Sequence, residues 1–323
     1  MANLSTEFCG ITLKNPLIAG SSALTGTLAG VKKLAVAGIA GVVLKSLFEE
    51  QLKADVGMGK DEYDHPEIHD FLEGQAMALA PSTYLDLIRK SREETDIAIW
   101  ASLNCLEGDR WEVYAKEIEK AGASGLELNI APQTFNKNDA PGWAENQILS
   151  VVRKVRAVTK LPLSVKLGNY FSSLTWLVEQ LRGKGVQGVV LFNRFYKTDM
   201  DVDHLTTKPG PKISVPSDFL DTLRWTAILA PQKLLDIAAT QGILSIQEVL
   251  KALLAGSQVV QISSLLYSKG LGSVEDLLQD LSSWMDKKEF KNLGAFRGAL
   301  SRKSDQGASF DRLQYIKALT GME

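Results

Sequence analysis

Two lysines close runs that are otherwise apolar, Lys45 in VVLKS and Lys166 in LSVKLG. An ammonium in such a run is costly to bury unless it meets an anion or a dense set of acceptors. The pair therefore points to an anionic or electron-rich ligand, and the plainer alternative is a rim lysine that snorkels to water. Equivalent run ends carry Ser21, Ser22, Asn104, Cys105, Asn129, Asn193, Arg194, Thr240, Gln241, Gly242, Ser263 and Ser264. This set is polar and cationic, with few carboxylates. Amide side chains such as Asn129 and Asn193 can hold the edge of a planar acid, or can satisfy local backbone as turn residues. The Arg194 fork grips a carboxylate or phosphate if it faces a pocket, and is an ordinary rim charge if it faces out. Cys105 reads first as a small buried packing residue, and second as a strand-end thiol able to take a proton.

The elements that must carry these residues follow a rhythm. From residue 16 onward, short runs of Val, Ile and Leu alternate with loops and amphipathic segments, as βαβ units do. The expected strands are PLIAGS (16–21), GVVLKS (41–46), AIWASLN (98–104), GLELNI (125–130), LSVKLG (163–168), GVVLFN (188–193), LLDIAAT (234–240) and QVVQISS (258–264). Several lack alternation, as parallel strands buried on both faces do. In DRWEVYAKEIEKAG (109–122), Trp111, Tyr114, Ala115, Ile118 and Ala121 share one face at helical spacing. Ser245 with Glu248, and Ser273 with Asp276, have the spacing of helix-start capping pairs. Eight strand-helix units count out to a closed (β/α)8 TIM barrel. TEFCGITLKNP is expected to form a short N-terminal β-hairpin across its bottom, and long loops follow strands 2 (47–80) and 6 (194–224). Loops of that length are usually functional, and both lie on the strand C-terminal side, where barrel active sites form.

At 323 residues the chain exceeds the ~250 that a barrel needs. A single domain is expected over 1–323, with its core at about 16–287 and a helical extension at 288–323. Lys plus Arg number 36 against 38 Asp plus Glu, so no charge surplus drives general binding to nucleic acid or anionic membrane. Any anion must meet a local site. The two cysteines, Cys9 and Cys105, form no CxxC pair, which fits a reducing compartment. With no apolar stretch of about 18 residues and no signal-peptide pattern at the start, a cytoplasmic protein is expected. GKGVQG (183–188) matches a dinucleotide fingerprint as text, but it precedes a strand instead of following one. His65 and His69 lie four apart in an acidic stretch without a clear third ligand, so no metal is expected.

The order NPLIAGSS, VVLKS, ASLN, LELNI, SVKLGNYF, VVLFN, a Thr-Gln-Gly loop and QIS resembles dihydroorotate dehydrogenase of the class 1 kind, over roughly residues 5–300. The resemblance implies an FMN-binding barrel that oxidises dihydroorotate to orotate in pyrimidine biosynthesis, with hydride passing to the flavin. It places the backbone of Ala19, Gly20, Ser21 and Ser22 against the isoalloxazine, and Lys166 at its N1/O2 edge. Lys45 would lie near flavin and substrate, Asn104 near the flavin, and Asn129 and Asn193 on the substrate ring, with Arg194 beside them. Thr240, Gln241, Gly242, Ser263 and Ser264 would supply phosphate contacts, with Arg224 a further donor.

The departures are specific. The family's catalytic base is a Cys or Ser on the stretch after ELN, and here Asn129-Ile130-Ala131-Pro132 offers no proton acceptor. Gly-rich phosphate loops are replaced by VPSDFLDTLRW (215–225), by Ala239-Thr240-Gln241-Gly242 and by Ser263-Ser264. Three readings stand. One is an FMN-dependent oxidoreductase acting on a small planar anionic substrate, not necessarily dihydroorotate. Another is a flavin- or metabolite-binding barrel that has lost the base and serves as a regulatory module. The third is a lyase or isomerase using Lys166 as a Schiff-base amine. A homodimer is the assembly kept open.

Overall fold

The computed structural model describes residues 2–48, 81–105, 111–132, 134, 136–194, 197–211, 213–302 and 308–321. Near the N-terminus, β1 (Thr6–Phe8) and β2 (Ile11–Leu13) pair antiparallel as the expected hairpin. The parallel strands are β3 (Leu17–Ala19), β4 (Gly41–Val43), β6 (Ala98–Cys105), β7 (Gly125–Ile130), β8 (Leu163–Leu167), β9 (Gly188–Leu191), β12 (Asp236–Ala239) and β13 (Val259–Ile262). Their order is β4-β3-β13-β12-β9-β8-β7-β6, and β4 pairs with β6 to close the ring. This is the (β/α)8 barrel, with all eight strands in the expected places. A two-residue strand, β5 (Leu47–Phe48), adds to the far end of β6.

Helices cover the outside. They are α1 (Leu28–Val36), α2 (Pro81–Glu94), α3 (Trp111–Lys120), α4 (Trp143–Arg156), α5 (Leu174–Gly183), α6 (Asp218–Leu229), α7 (Ile246–Ala255), α8 (Ser264–Lys269) and α9 (Ser273–Lys287). Each amphipathic helix turns its apolar stripe inward. In α3, Trp111, Ala115 and Ile118 are buried as the spacing predicts, and Gly122, at φ 87°, turns the chain out of the helix. Ser245 caps α7 by accepting from the Gln247 N–H, and its hydroxyl donates to Glu248 at 2.8 Å. The second capping pair is not made. Gly272 occupies the cap position of α9, and the Ser273 hydroxyl donates to the Gly270 carbonyl at 2.6 Å.

The long segment after β9 holds an element that the sequence did not suggest. Strands β10 (Thr198–Asp201) and β11 (Thr206–Pro209) form an antiparallel hairpin whose residues are almost all exposed. Without a buried face it has no apolar alternation to betray it. Beyond α9, the chain makes a one-turn helix at Leu293–Ala295 and then α10 (Ala308–Thr320). Of the loop after strand 2, only its start is described.

The barrel interior is layered. At the bottom, Phe8, Cys9, Leu13, Ile18, Val43, Trp100, Val190, Ala238 and Val259 form an apolar plug distinct from the core between strands and helices. Phe8 comes from the hairpin and packs on Trp100 with ring centroids 5.8 Å apart. Gly125 and Gly188 leave room for that plug, since a Cβ on Gly125 would lie 2.4 Å from Trp100 Nε1 and one on Gly188 2.5 Å from Cys9 Sγ. Above the plug sits a buried polar tier of Ser102, Glu127, Ser164 and Gln261. Period-2 alternation then sets the next inward residues, Asn104, Asn129, Lys166 and Ser263, at the mouth.

Candidate active site

Strand register brings the expected residues to one level. Asn104 pairs with Asn129, and Asn129 with Lys166, on three adjacent strands. The amide of Asn193, two residues past β9, donates to Asn129 Oδ1 at 2.8 Å. A cavity of about 280 Å³ opens beside them, lined in part by Ser21, Ser22, Lys166, Asn193, Arg194, Thr240, Gln241, Gly242, Ser263 and Ser264. Ala19 and Gly20 lie fully buried behind its wall, where a Cβ on Gly20 would come within 2.8 Å of Ser263 Oγ. Lys45, Asn104 and Asn129 are not among the lining residues. Lys45 packs its side chain near Gly26 at the end of β4. Cys105 is the last residue of β6, and Ala131 follows β7 directly. His65 and His69 lie outside the described residues, among which no cluster of metal-ligating side chains occurs.

The Lys166 ammonium has no hydrogen-bond or ion-pair partner among the described residues, and it stands half-buried at the cavity. Beneath it, Glu127 is fully buried; Gln261, which also lines the cavity, donates to Glu127 Oε2 at 2.7 Å. Burial pushes the Glu127 carboxyl up from its ordinary value, while the Lys166 charge and the Gln261 hydrogen bond work against that rise. Glu127 Oε1, Gln261 Oε1 and Ser164 Oγ have no hydrogen-bond partner among the described residues. The quoted motifs contain Glu127 and Gln261 but give neither a role, although each stands two residues before one that has a role. The available signal was alternation within ELN and QIS.

A second set of contacts runs into the wall. Ser21 Oγ lies 3.1 Å from Ser46 Oγ, which lies 2.8 Å from Ser102 Oγ. The Tyr84 hydroxyl accepts from the Ser102 N–H at 2.8 Å and donates to the Ser102 carbonyl. These contacts tie β3, β4, β6 and α2 together just under the mouth. Ser22 Oγ is buried, and its hydroxyl hydrogen meets no acceptor among the described residues.

Loops around the mouth are fixed by side chains. Tyr170, after β8, donates to the Pro132 carbonyl at 2.8 Å and so anchors the stretch carrying Ala131. Burial and the nearby Glu145 push the Tyr170 phenol up to about 12. Gly168 is required there, because a Cβ would lie 2.1 Å from the Tyr170 ring. Thr222 of α6 donates to the Thr240 carbonyl at 2.8 Å, and a Cβ on Gly242 (φ +62°) would meet the Phe219 backbone nitrogen at 2.5 Å. Gln241 occupies φ 68°, a left-handed conformation uncommon for a residue with a side chain. Arg224 lies over the Trp225 ring, 5.6 Å from its centroid, and is not among the cavity-lining residues.

Arg194 combines both geometries left open by the sequence. It lines the cavity, yet its Nη2 donates to the carbonyls of Pro211 and Ile213, and its Nε lies 3.9 Å from Asp218 Oδ2. Its charge holds the returning loop. Asp218 also accepts from Lys197 Nζ and the Val215 N–H. Burial acts to raise the Asp218 carboxyl, but the hydrogen bonds from Lys197 and Val215 and the charges of Lys197 and Arg194 outweigh it and hold the group below its usual range. A carboxyl lowered in the folded state stabilises above its unfolded value, and that contribution is lost as pH falls through the folded value. Replacing Asp218 with Asn is therefore expected to remove about 1 kcal/mol at pH 6. It should also flatten the acid limb of thermal stability below pH 4, measured by melting at stepped pH.

No family model matches the chain. It is similar along nearly its whole length to curated proteins. The dihydroorotate dehydrogenase B (NAD(+)) catalytic subunit of Pyrococcus furiosus is 26% identical over 299 residues, 90% of this chain and 96% of that protein. The protein of the same description from Thermoplasma volcanium is 22% identical over 313 residues, 94% of this chain and all of its own length. Dihydroorotate dehydrogenase A (fumarate) of Limosilactobacillus reuteri is 24% identical over 299 residues, 90% of this chain and 96% of that protein. With the barrel closed and the lysine and amide side chains of the quoted motifs meeting at its mouth, these full-length likenesses make the chain a divergent dihydroorotate dehydrogenase-like protein.

Proposed function

We propose that the chain is an FMN-dependent oxidoreductase that removes two electrons from a small planar acid of the dihydroorotate type. The observation that carries this reading is the Lys166 ammonium at the cavity, which has no hydrogen-bond or ion-pair partner among the described residues, beside the coupled Asn129 and Asn193 amides. The residues present fit the flavin. Lys166 would face its electron-rich edge, the backbone of residues 19–22 its ring, and Thr240, Gly242, Ser263 and Ser264 its phosphate, with the buried Ser22 hydroxyl as a further donor. Bound FMN supplies a two-electron acceptor for hydride.

The chain's own residues do the rest. A fixed ammonium stabilises negative charge developing at its position more than it stabilises the ground state. In the coupled pair, Asn193 donates and Asn129 accepts, so both N–H donors of the Asn129 amide and the carbonyl acceptor of Asn193 remain for the ring of a planar acid. The apolar plug below and the tethered loop above limit water around them.

A second reading rests on Ala131, where the family's proton acceptor would stand. On that reading the chain binds flavin or metabolite without dehydrogenation. Purified protein reconstituted with FMN is expected to be yellow, and anaerobic dihydroorotate is expected to bleach it. A yellow protein that dihydroorotate does not bleach selects the binding module, and failure to take up FMN sinks both readings.

A further inference from the structure

Gln241 has a backbone conformation that glycine adopts most readily, at φ 68°. A non-glycine residue in that region costs about 1 kcal/mol and persists where something else over-determines it. Here its side chain reaches across from the loop after β12 to the end of β9. Its Nε2 donates to the Phe192 carbonyl at 3.0 Å and to the Asn193 carbonyl as well. Two carbonyls accept and cannot donate, so only the amide nitrogen can face them. The same strand end is held on its β8 side by the Asn193 N–H, which donates to Leu167 O at 2.7 Å, and on the Gln241 side by the Thr240 N–H, which donates to Leu191 O at 2.7 Å. Asn193 then donates to Asn129. A continuous path of hydrogen bonds thus runs from Gln241 through the Asn193 backbone to the amide pair.

We propose that Gln241 is a positioning residue for substrate specificity: its side-chain amide clamps the end of β9 so that Asn129 presents N–H donors and Asn193 a carbonyl acceptor to the edge of a planar, amide-containing acid. This deepens the reading above and rests on it. The clamp also gives the loop a role separate from phosphate binding, since its side chain points to the substrate end of the mouth.

Gln241→Gly separates the two roles, because glycine suits φ 68° better than glutamine and leaves no strain to blame. In FMN-loaded protein, orotate binding followed by perturbation of the flavin spectrum should weaken about tenfold, while FMN affinity by fluorescence quenching holds or improves. Gln241→Glu, which sets a carboxylate against two carbonyls, should weaken orotate at least as much. Deuterium exchange tests the clamp without any ligand, and the amides of 192–194 should exchange about tenfold faster in Gln241→Gly. Unchanged exchange overturns the proposal whatever the ligand. Faster exchange with unchanged orotate affinity overturns the link to specificity. If the parent takes up FMN but does not respond to orotate, the substrate assignment falls, and the specificity claim falls with it, while the exchange result still decides the clamp.

Discussion

Replacing Lys166 with Met is expected to lower the rate at which dihydroorotate bleaches the FMN-loaded protein by about 10²- to 10³-fold, the range seen when one preorganised donor to a developing charge is removed. Methionine keeps the length and the apolar stem, so the change isolates the charge. Lys166 lies at the end of β8, in register with Asn129, and its ammonium has no other partner among the described residues. Its removal leaves no neighbour to take over. Stopped-flow absorbance reads the rate, and orotate titration reads binding in the same sample. A fall in rate with near-unchanged orotate affinity is expected. A variant that bleaches as fast as the parent would remove Lys166 from the chemistry. The Schiff-base reading is told apart by borohydride, which would trap a substrate on Lys166 only if an imine forms there.

Replacing Trp100 with Ala is expected to cost about 3–5 kcal/mol of stability, read as a lowered midpoint in chemical denaturation. Trp100 is 1% exposed and packs on Phe8 inside the barrel, where Gly41 and Gly125 leave the space that its ring occupies. The hairpin that carries Phe8 blocks the bottom, and the surrounding strands are closed in a ring, so the site has little freedom to collapse around a void. Trp100 Nε1 has no hydrogen-bond partner among the described residues, so Phe is the gentler replacement, losing volume without leaving another polar group unmet. Flavin uptake by the Trp100→Phe protein should match the parent, because the plug and the mouth are separated by the polar tier.

Much of this architecture was legible in the sequence. Apolar runs without alternation mark strands buried on both faces, and Gly125 and Gly188 open two of them. The lysines and asparagines at the run ends were legible for the same reason, as polar groups that an apolar run tolerates only at its exposed limit. Less accessible were features set by long-range pairing. The β10–β11 hairpin has no buried face, and the cap at α9 depends on how Gly272 meets the preceding turn. Glu127 and Gln261 come from opposite parts of the chain, 134 residues apart, and only ring closure makes them partners. Arg194 could not be assigned from its neighbours because Pro211, Ile213 and Asp218 reach it only after the loop returns.

The polar tier of Ser102, Glu127, Ser164 and Gln261 has one more consequence. It divides the inside of the barrel into an apolar part that holds the ring together and a part lined by polar side chains. Changes of specificity can therefore accumulate above the tier while the foundation below is untouched. Selection on new acids at the mouth would be expected to tolerate polar exchanges at Asn193, Arg194 and Gln241 far better than any exchange at Ile18, Val43 or Val190.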